Sequence, residues 1–165
     1  MIAILRTLWT VSTDSYATDN GIDPARVEAD LGDYLVTSIN DLAPLEEAGV
    51  YATCITPHPD PQPPGKAVVR CDWRITADRE AWQEARGIGR QAARRDLLDY
   101  LARELYSLPS VCDTDAVMTA TYNTGRGLVE RTFRPGDRKR TTVTAVVPGL
   151  LAHRAPPPRP AATPR

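Results

Sequence analysis

The sequence predicts an α+β domain, a two-layer sandwich whose mostly antiparallel sheet of about five strands carries its helices on one face. Three observations predict it. From Ala67 to Ala77 the residues Ala67, Val69, Cys71, Trp73 and Ile75 alternate with Val68, Arg70, Asp72, Arg74 and Thr76, the period of a strand with one covered and one largely polar face. Apolar residues then recur at helical spacing from Asp78 to Leu108. Finally, Ala116–Tyr122 and Leu128–Phe133 flank Asn123, Thr124, Gly125, Arg126 and Gly127, a hairpin signal.

Taken in order, Ile2, Leu5, Leu8 and Trp9 stand at helical spacing and predict a first helix over 2–12, ended by the polar run Ser12 to Gly21. A second helix is expected over 23–48, with Asp23 as N-cap, Pro24 at N1 and an apolar stripe of Val27, Leu31, Tyr34, Leu35, Ile39 and Leu42. Val50 to His58 reads as a strand. The prolines from Pro57 to Pro64 then remove amide donors and fix φ, which predicts a stiff, extended loop before the next strand.

The long helical pattern contains a conflict. Ala81, Trp82, Ala85 and Ile88 share one side, while Leu97, Leu98, Leu101 and Leu105 centre half a turn away. Gly87 and Gly89 lie between the two sets. Each glycine costs a helix interior roughly 1 kcal/mol against alanine, so a break there resolves the conflict. The alternative is a straight helix whose second face, Leu97, Leu101 and Leu105, meets another subunit. Beyond the hairpin, Thr141–Val147 is expected to complete a three-stranded meander after a turn at Pro135, Gly136 and Asp137. One domain over 1–148 and a disordered Pro-rich tail over 149–165 follow.

Composition excludes several classes. The chain has 165 residues and a net charge of −1, and its arginines, 18 against 2 lysines, are in keeping with a GC-rich coding genome. The balance is uneven: residues 1–65 carry 2 basic and 10 acidic side chains, net −8, whereas residues 66–140 are net +4 and residues 141–165 add 3. Such polarity permits head-to-tail contact between copies. Cys54, Cys71 and Cys112 have no paired spacing, which gives no disulfide framework and suits a reducing, cytoplasmic compartment. No run is long enough to span a membrane.

Candidate sites are few. Gly87, Gly89 and Ala92 spell a dinucleotide fingerprint, but the residues before them read as helix, where the motif needs a strand; no cofactor is expected. Cys54, His58, Cys71 and Cys112 could be gathered into a zinc site only without a CxxC pair, and Cys71 sits among core residues, so no metal is expected. Asp72 between Arg70 and Arg74 reads as a cross-strand ion pair on a solvated face before it reads as an active-site charge cluster. Arg86, Arg90 and Arg94 at i, i+4, i+8, with Arg134, Arg138, Lys139 and Arg140 near the last turn, form the rows that phosphate contacts require. Interleaved acids and the lack of any known nucleic-acid-binding motif weigh against that.

The order helix, hairpin with a long loop, strand carrying Asp72 and Trp73, helix, hairpin resembles the small tail-terminator and head-to-tail joining proteins of long-tailed bacteriophages, over Ala25 to Phe133. The resemblance implies a ring-forming structural subunit without catalytic residues, whose loops contact a neighbouring ring. The expectation is therefore a non-enzymatic assembly or adaptor subunit that associates with itself or with another protein, located in the virion if the resemblance holds. A nucleic-acid-associated protein and a small enzyme of unknown chemistry are the competing classes.

Overall fold

The computed structural model describes residues 1–40, 50–54, 58–59, 62–112 and 114–137. Its elements are β1 (Ile2–Ser12), α1 (Thr13–Asn20), a 3-10 turn (Pro24–Arg26) leading into α2 (Val27–Asn40), β2 (Val50–Cys54), β3 (His58–Pro59), β4 (Lys66–Ala77), α3 (Arg79–Arg86), α4 (Ala93–Tyr106), the short α5 (Pro109–Cys112), β5 (Val117–Asn123) and β6 (Leu128–Phe133). The α+β class holds. Every described strand pairing is antiparallel, in the order β2-β4-β1-β5-β6, with β3 also on β4. Without β6 this is the split βαβ arrangement, two β-helix units interleaved around a central strand pair.

The largest departure from the sequence reading is β1. The expected helix over 2–12 is a strand of eleven residues at the centre of the sheet, paired with β4 from Ile2↔Thr76 to Ser12↔Lys66 and with β5 from Leu5↔Tyr122 to Thr10↔Val117. The physical reason is a second period hidden in the same residues. Ala3, Leu5, Thr7, Trp9 and Val11 are all buried, which is strict alternation, and β-branched residues suit a strand better than a helix. Thr7 disguised the pattern because it is polar. Its hydroxyl accepts the indole N–H of both Trp9 and Trp73 at 2.9 Å each, so the buried oxygen and two buried donors are satisfied together.

One further correction follows along the chain. The polar run after β1 is helix α1, opened by the Ser12 hydroxyl accepting the Ser15 amide at 3.4 Å and closed by Gly21 in the left-handed region at φ 66°. It buries only Tyr16 and Ala17, too few to reveal a helical stripe. The second expected helix starts as read, with the Asp23 carboxylate accepting from the Ala25 amide at 2.8 Å; residues 41–48 of that prediction, and the strand at Thr141–Val147 and the tail over 149–165, lie outside the described residues.

The break between the two apolar faces is real. Asp78 caps α3 through the Glu80 and Ala81 amides at 2.9 and 3.0 Å. Gly87 ends it at φ 63°, its amide returning to the Gln83 and Glu84 carbonyls while the Ile88 amide reaches Gln83 at 3.1 Å. Six residues later α4 begins in a new direction. Leu97, Leu98, Leu101 and Leu105 consequently turn into the core, each at 0% exposure, with α4 packed on β1 and β5 and α2 packed on β4 and β2.

Candidate interaction surface

All described helices pack on the face of the sheet that holds Leu5, Trp9, Trp73, Ile75 and Met118; the opposite face carries no described helix and is exposed at Ile2, Ile4, Arg6, Arg74 and Asn123, while Val68 at its other end is buried. The strand register arranges that open face in rows. One row runs Asp72, Arg6, Thr121, Glu130, and the next Arg70, Leu8, Thr119, Thr132. On the other side of the charged row lie Arg74 and Ile4, and extending the β1–β5 register by one residue sets Asn123 and then Leu128 beside them. Ile2 is next along β1. Ile2, Ile4 and Leu128, at 54%, 46% and 74% exposure, are the exposed large hydrophobic residues among those described, and all three belong to this face. An antiparallel sheet can leave one face in water, but its residues are then polar; this one has an apolar end.

The middle of the face is held by an ion pair. Arg6 Nε meets Asp72 Oδ1 at 2.5 Å and Nη2 meets Oδ2 at 3.1 Å, a bidentate contact across β1 and β4. The hydrogen bond from Arg6 holds the Asp72 carboxyl below the usual carboxylate range against a smaller opposing effect of burial, with the Arg6 and Arg70 charges adding to it. Asp72 is thus the ion pair its strand position suggested. Its partner Arg6 escaped notice because β1 read as a helix.

The arginine row of the sequence reading does not exist as a row. Arg86 closes α3, Arg90 lies in the turn after it and Arg94 belongs to α4, so the i, i+4, i+8 spacing has no helix to carry it. Arg86 is a packing residue. Its side chain is 12% exposed, its guanidinium binds Asp96 at 2.9 and 3.2 Å, and it stands over the rings of Trp82 and Tyr100 at 5.6 and 5.4 Å. Asp96 also accepts the Trp82 indole N–H at 3.2 Å, which ties α3 to α4. Arg94 donates to the Ile2 carbonyl at 2.5 Å, and Arg134 is exposed beyond β6. Arg138, Lys139 and Arg140 lie outside the described residues. The subunit interface expected at Leu97, Leu101 and Leu105 is likewise overturned, since those side chains are spent on the protein's own core.

Other chemistry-bearing residues are also structural. Cys71 is buried in β4. Among the described residues no group of three or more His, Cys, Asp or Glu side chains could hold a metal ion. The side chains of Cys54, His58 and Cys112 are outside the described set. Gly87 ends a helix and Gly89 lies in the connection after it, so neither follows a strand and the dinucleotide fingerprint lacks the context its chemistry needs. Asp99 accepts from the Tyr122 hydroxyl, and Arg131 and Arg95 pair with it at 3.3 and 3.6 Å. Beside it an open pocket of about 360 Å³ is lined by Gln91, Ala92, Arg95, Thr124 and Arg126, with Arg126 donating to Gln91 across it at 2.5 Å. No described helix is long and apolar enough to cross a membrane.

Comparison with known proteins returned nothing: no family model, no curated protein and no solved structure matches the chain. The open sheet face, with its apolar end and central ion pair, is the feature of the fold that its own packing leaves unexplained.

Proposed function

We infer that the protein is a non-enzymatic structural or adaptor subunit that works by contact, through the open face of its sheet. The observation that carries this reading is the apolar end of that face. A chain that buries the leucines of α4 completely leaves Ile2 and Ile4 of β1 and Leu128 of β6 in water at the same end of one sheet face, with Asn123 of β5 between the two strands. Exposed apolar side chains rimmed by polar residues are what a protein–protein contact uses. The charged row beside them, with Asp72, Arg6 and Glu130, and Arg74 in their own row supply register and orientation for such a contact more than affinity.

The form of this function that the element order favours is a connector or tail-completion subunit of phage type, present in the cytoplasm during assembly and in the virion afterwards. The uneven charge along the chain, net −8 over residues 1–65 and positive after them, is compatible with head-to-tail contact between copies. The interface belongs to the sheet and not to α4.

Absolute mass by size-exclusion chromatography with light scattering, over a range of concentrations and at two salt levels, tests the reading. A discrete oligomer that Ile4→Asp with Leu128→Asp dissolves, while the variant keeps its fold, is the expected result. A monomer at every concentration and salt level would remove self-assembly through this face.

A further inference from the structure

We propose that the cavity between the start of α4 and the turn joining β5 to β6 is a binding site for the phosphoryl group of a small phosphate monoester. This goes beyond the assembly reading and does not depend on it. The cavity, about 360 Å³ and lined by Gln91, Ala92, Arg95, Thr124 and Arg126, falls within the range of small-molecule sites, roughly 300–1,000 Å³. A bare phosphate ion would leave most of that volume unfilled. Two guanidinium groups meet at it, Arg95 from the first turns of α4 and Arg126 from the tip of the hairpin.

The charges in and beside the cavity do not balance. Arg95 Nε stands 3.6 Å from the Asp99 carboxylate, too far for a hydrogen bond, and the same carboxylate takes Arg131 at 3.3 Å and the Tyr122 hydroxyl. Arg126 donates to the neutral side-chain oxygen of Gln91 at 2.5 Å. Asp96, the other acid at this end of α4, is held by Arg86 at 2.9 Å. Arg95, Arg126 and Arg131 thus share one carboxylate, Asp99, which leaves an excess of two positive charges. A phosphate monoester carries about −1.5 to −2 at neutral pH and offers three acceptor oxygens to the forked N–H groups of arginine. A carboxylate ligand supplies half that charge.

The turn holds Arg126 in place before a ligand arrives. The Thr124 hydroxyl accepts the Arg126 amide at 3.3 Å and donates to the Gly127 carbonyl at 3.1 Å, while the Asn123 side chain accepts the Gly125 amide at 2.8 Å. Gly125, at φ 88°, supplies the left-handed residue the turn needs. To engage an anion Arg126 gives up one neutral hydrogen bond, whereas Arg6 would have to leave a bidentate ion pair. On the other wall, Ala92 at the N-cap of α4 offers no side-chain acceptor to the first amides of the helix, and their partial positive charge adds to the same field.

Titration of the full chain at constant ionic strength, read from the arginine side-chain and backbone amide signals in proton–nitrogen NMR spectra, tests the site with phenyl phosphate, inorganic phosphate and benzoate. Phenyl phosphate should bind saturably, shift Arg95 and Arg126, and bind at least about tenfold more tightly than either of the other two. Arg126→Gln and Arg95→Gln should each weaken it about tenfold or more, while Arg26→Gln, in an exposed turn before α2, leaves it unchanged. Urea unfolding checks that each variant keeps its fold. Where a glutamine variant fails to fold, Arg126→Lys keeps the charge, loses the fork and should still weaken binding severalfold. Inorganic phosphate binding as tightly as phenyl phosphate would overturn the ester, and benzoate binding as tightly would overturn the phosphoryl group. Shifts that do not saturate, or that survive both arginine substitutions, would overturn the site itself.

Discussion

The two faces of β1 are made from one run of eleven residues and obey different rules. Ala3, Leu5, Thr7, Trp9 and Val11 are buried, and each has a defined partner in the core; Ile2 and Ile4, between and beside them, are apolar and stand in water. Helices explain the first set. Nothing described in the chain explains the second. The difference separates residues that make this fold from residues the fold does not need, and the second kind are where function is sought.

The contrast can be broken most severely on the covered side. Leu101→Ala removes a fully buried side chain from the contact of α4 with the sheet and should cost about 2–5 kcal/mol, read from urea unfolding with an unchanged m-value. If Leu101 instead served an interface between copies, the loss would fall on the oligomer mass and not on unfolding. Thr7→Val keeps volume and β-propensity but orphans two buried indole donors, each worth about 1–3 kcal/mol when left unpaired. A loss of about 2–4 kcal/mol is expected, and a neutral result would mean that water or another acceptor replaces the hydroxyl. On the open side, Ile4→Asp and Leu128→Asp should each change unfolding by within roughly 0.5 kcal/mol, as substitutions outside a packed environment do, while abolishing association.

How much of this was legible follows the same division. In β4 the alternation was complete in one-letter terms, and the helix break was readable because two incompatible apolar faces met at glycines. β1 was not, since Leu5, Leu8 and Trp9 satisfy a helical spacing while the residues that settle the matter, Ala3 and Thr7, look weakly apolar or polar. Thr7 becomes a core residue only when Trp73, sixty-six positions away, brings its indole to it. That single misreading concealed both the ion pair of Arg6 with Asp72 and the apolar end of the open face. The arginine row failed for the converse reason: its spacing was measured along a helix that the Gly87 break divides.

Two carboxyl groups sharpen the comparison at its smallest scale. On the open face the hydrogen bond from Arg6 lowers the pKa of Asp72, so its stabilising contribution is present above the ordinary carboxylate range, roughly pH 4, and is lost as pH falls through the lowered value. Glu104, on α4 behind the sheet, is the opposite case. Burial raises its pKa, and the charge of Arg86 offsets this only in part. The neighbouring Tyr100 is pushed up to about 12, by burial first and by Glu104 second. A carboxyl whose folded pKa is raised binds more protons in the folded state, so its contribution falls as pH rises from the unfolded value to the folded one and remains unfavourable at neutral pH. Glu104→Gln should therefore raise the thermal midpoint at pH 7 by roughly 1–2 °C, the shift of a few tenths of a kcal/mol in a domain of this size. The gain should vanish below about pH 4, where the glutamate is protonated in both states. Asp72→Asn should show the reverse, a small loss at pH 7 that disappears in acid. Matching profiles for the two variants would mean that the open face is no more solvated than the helical layer, and the distinction between the faces would fail electrostatically even where burial upholds it.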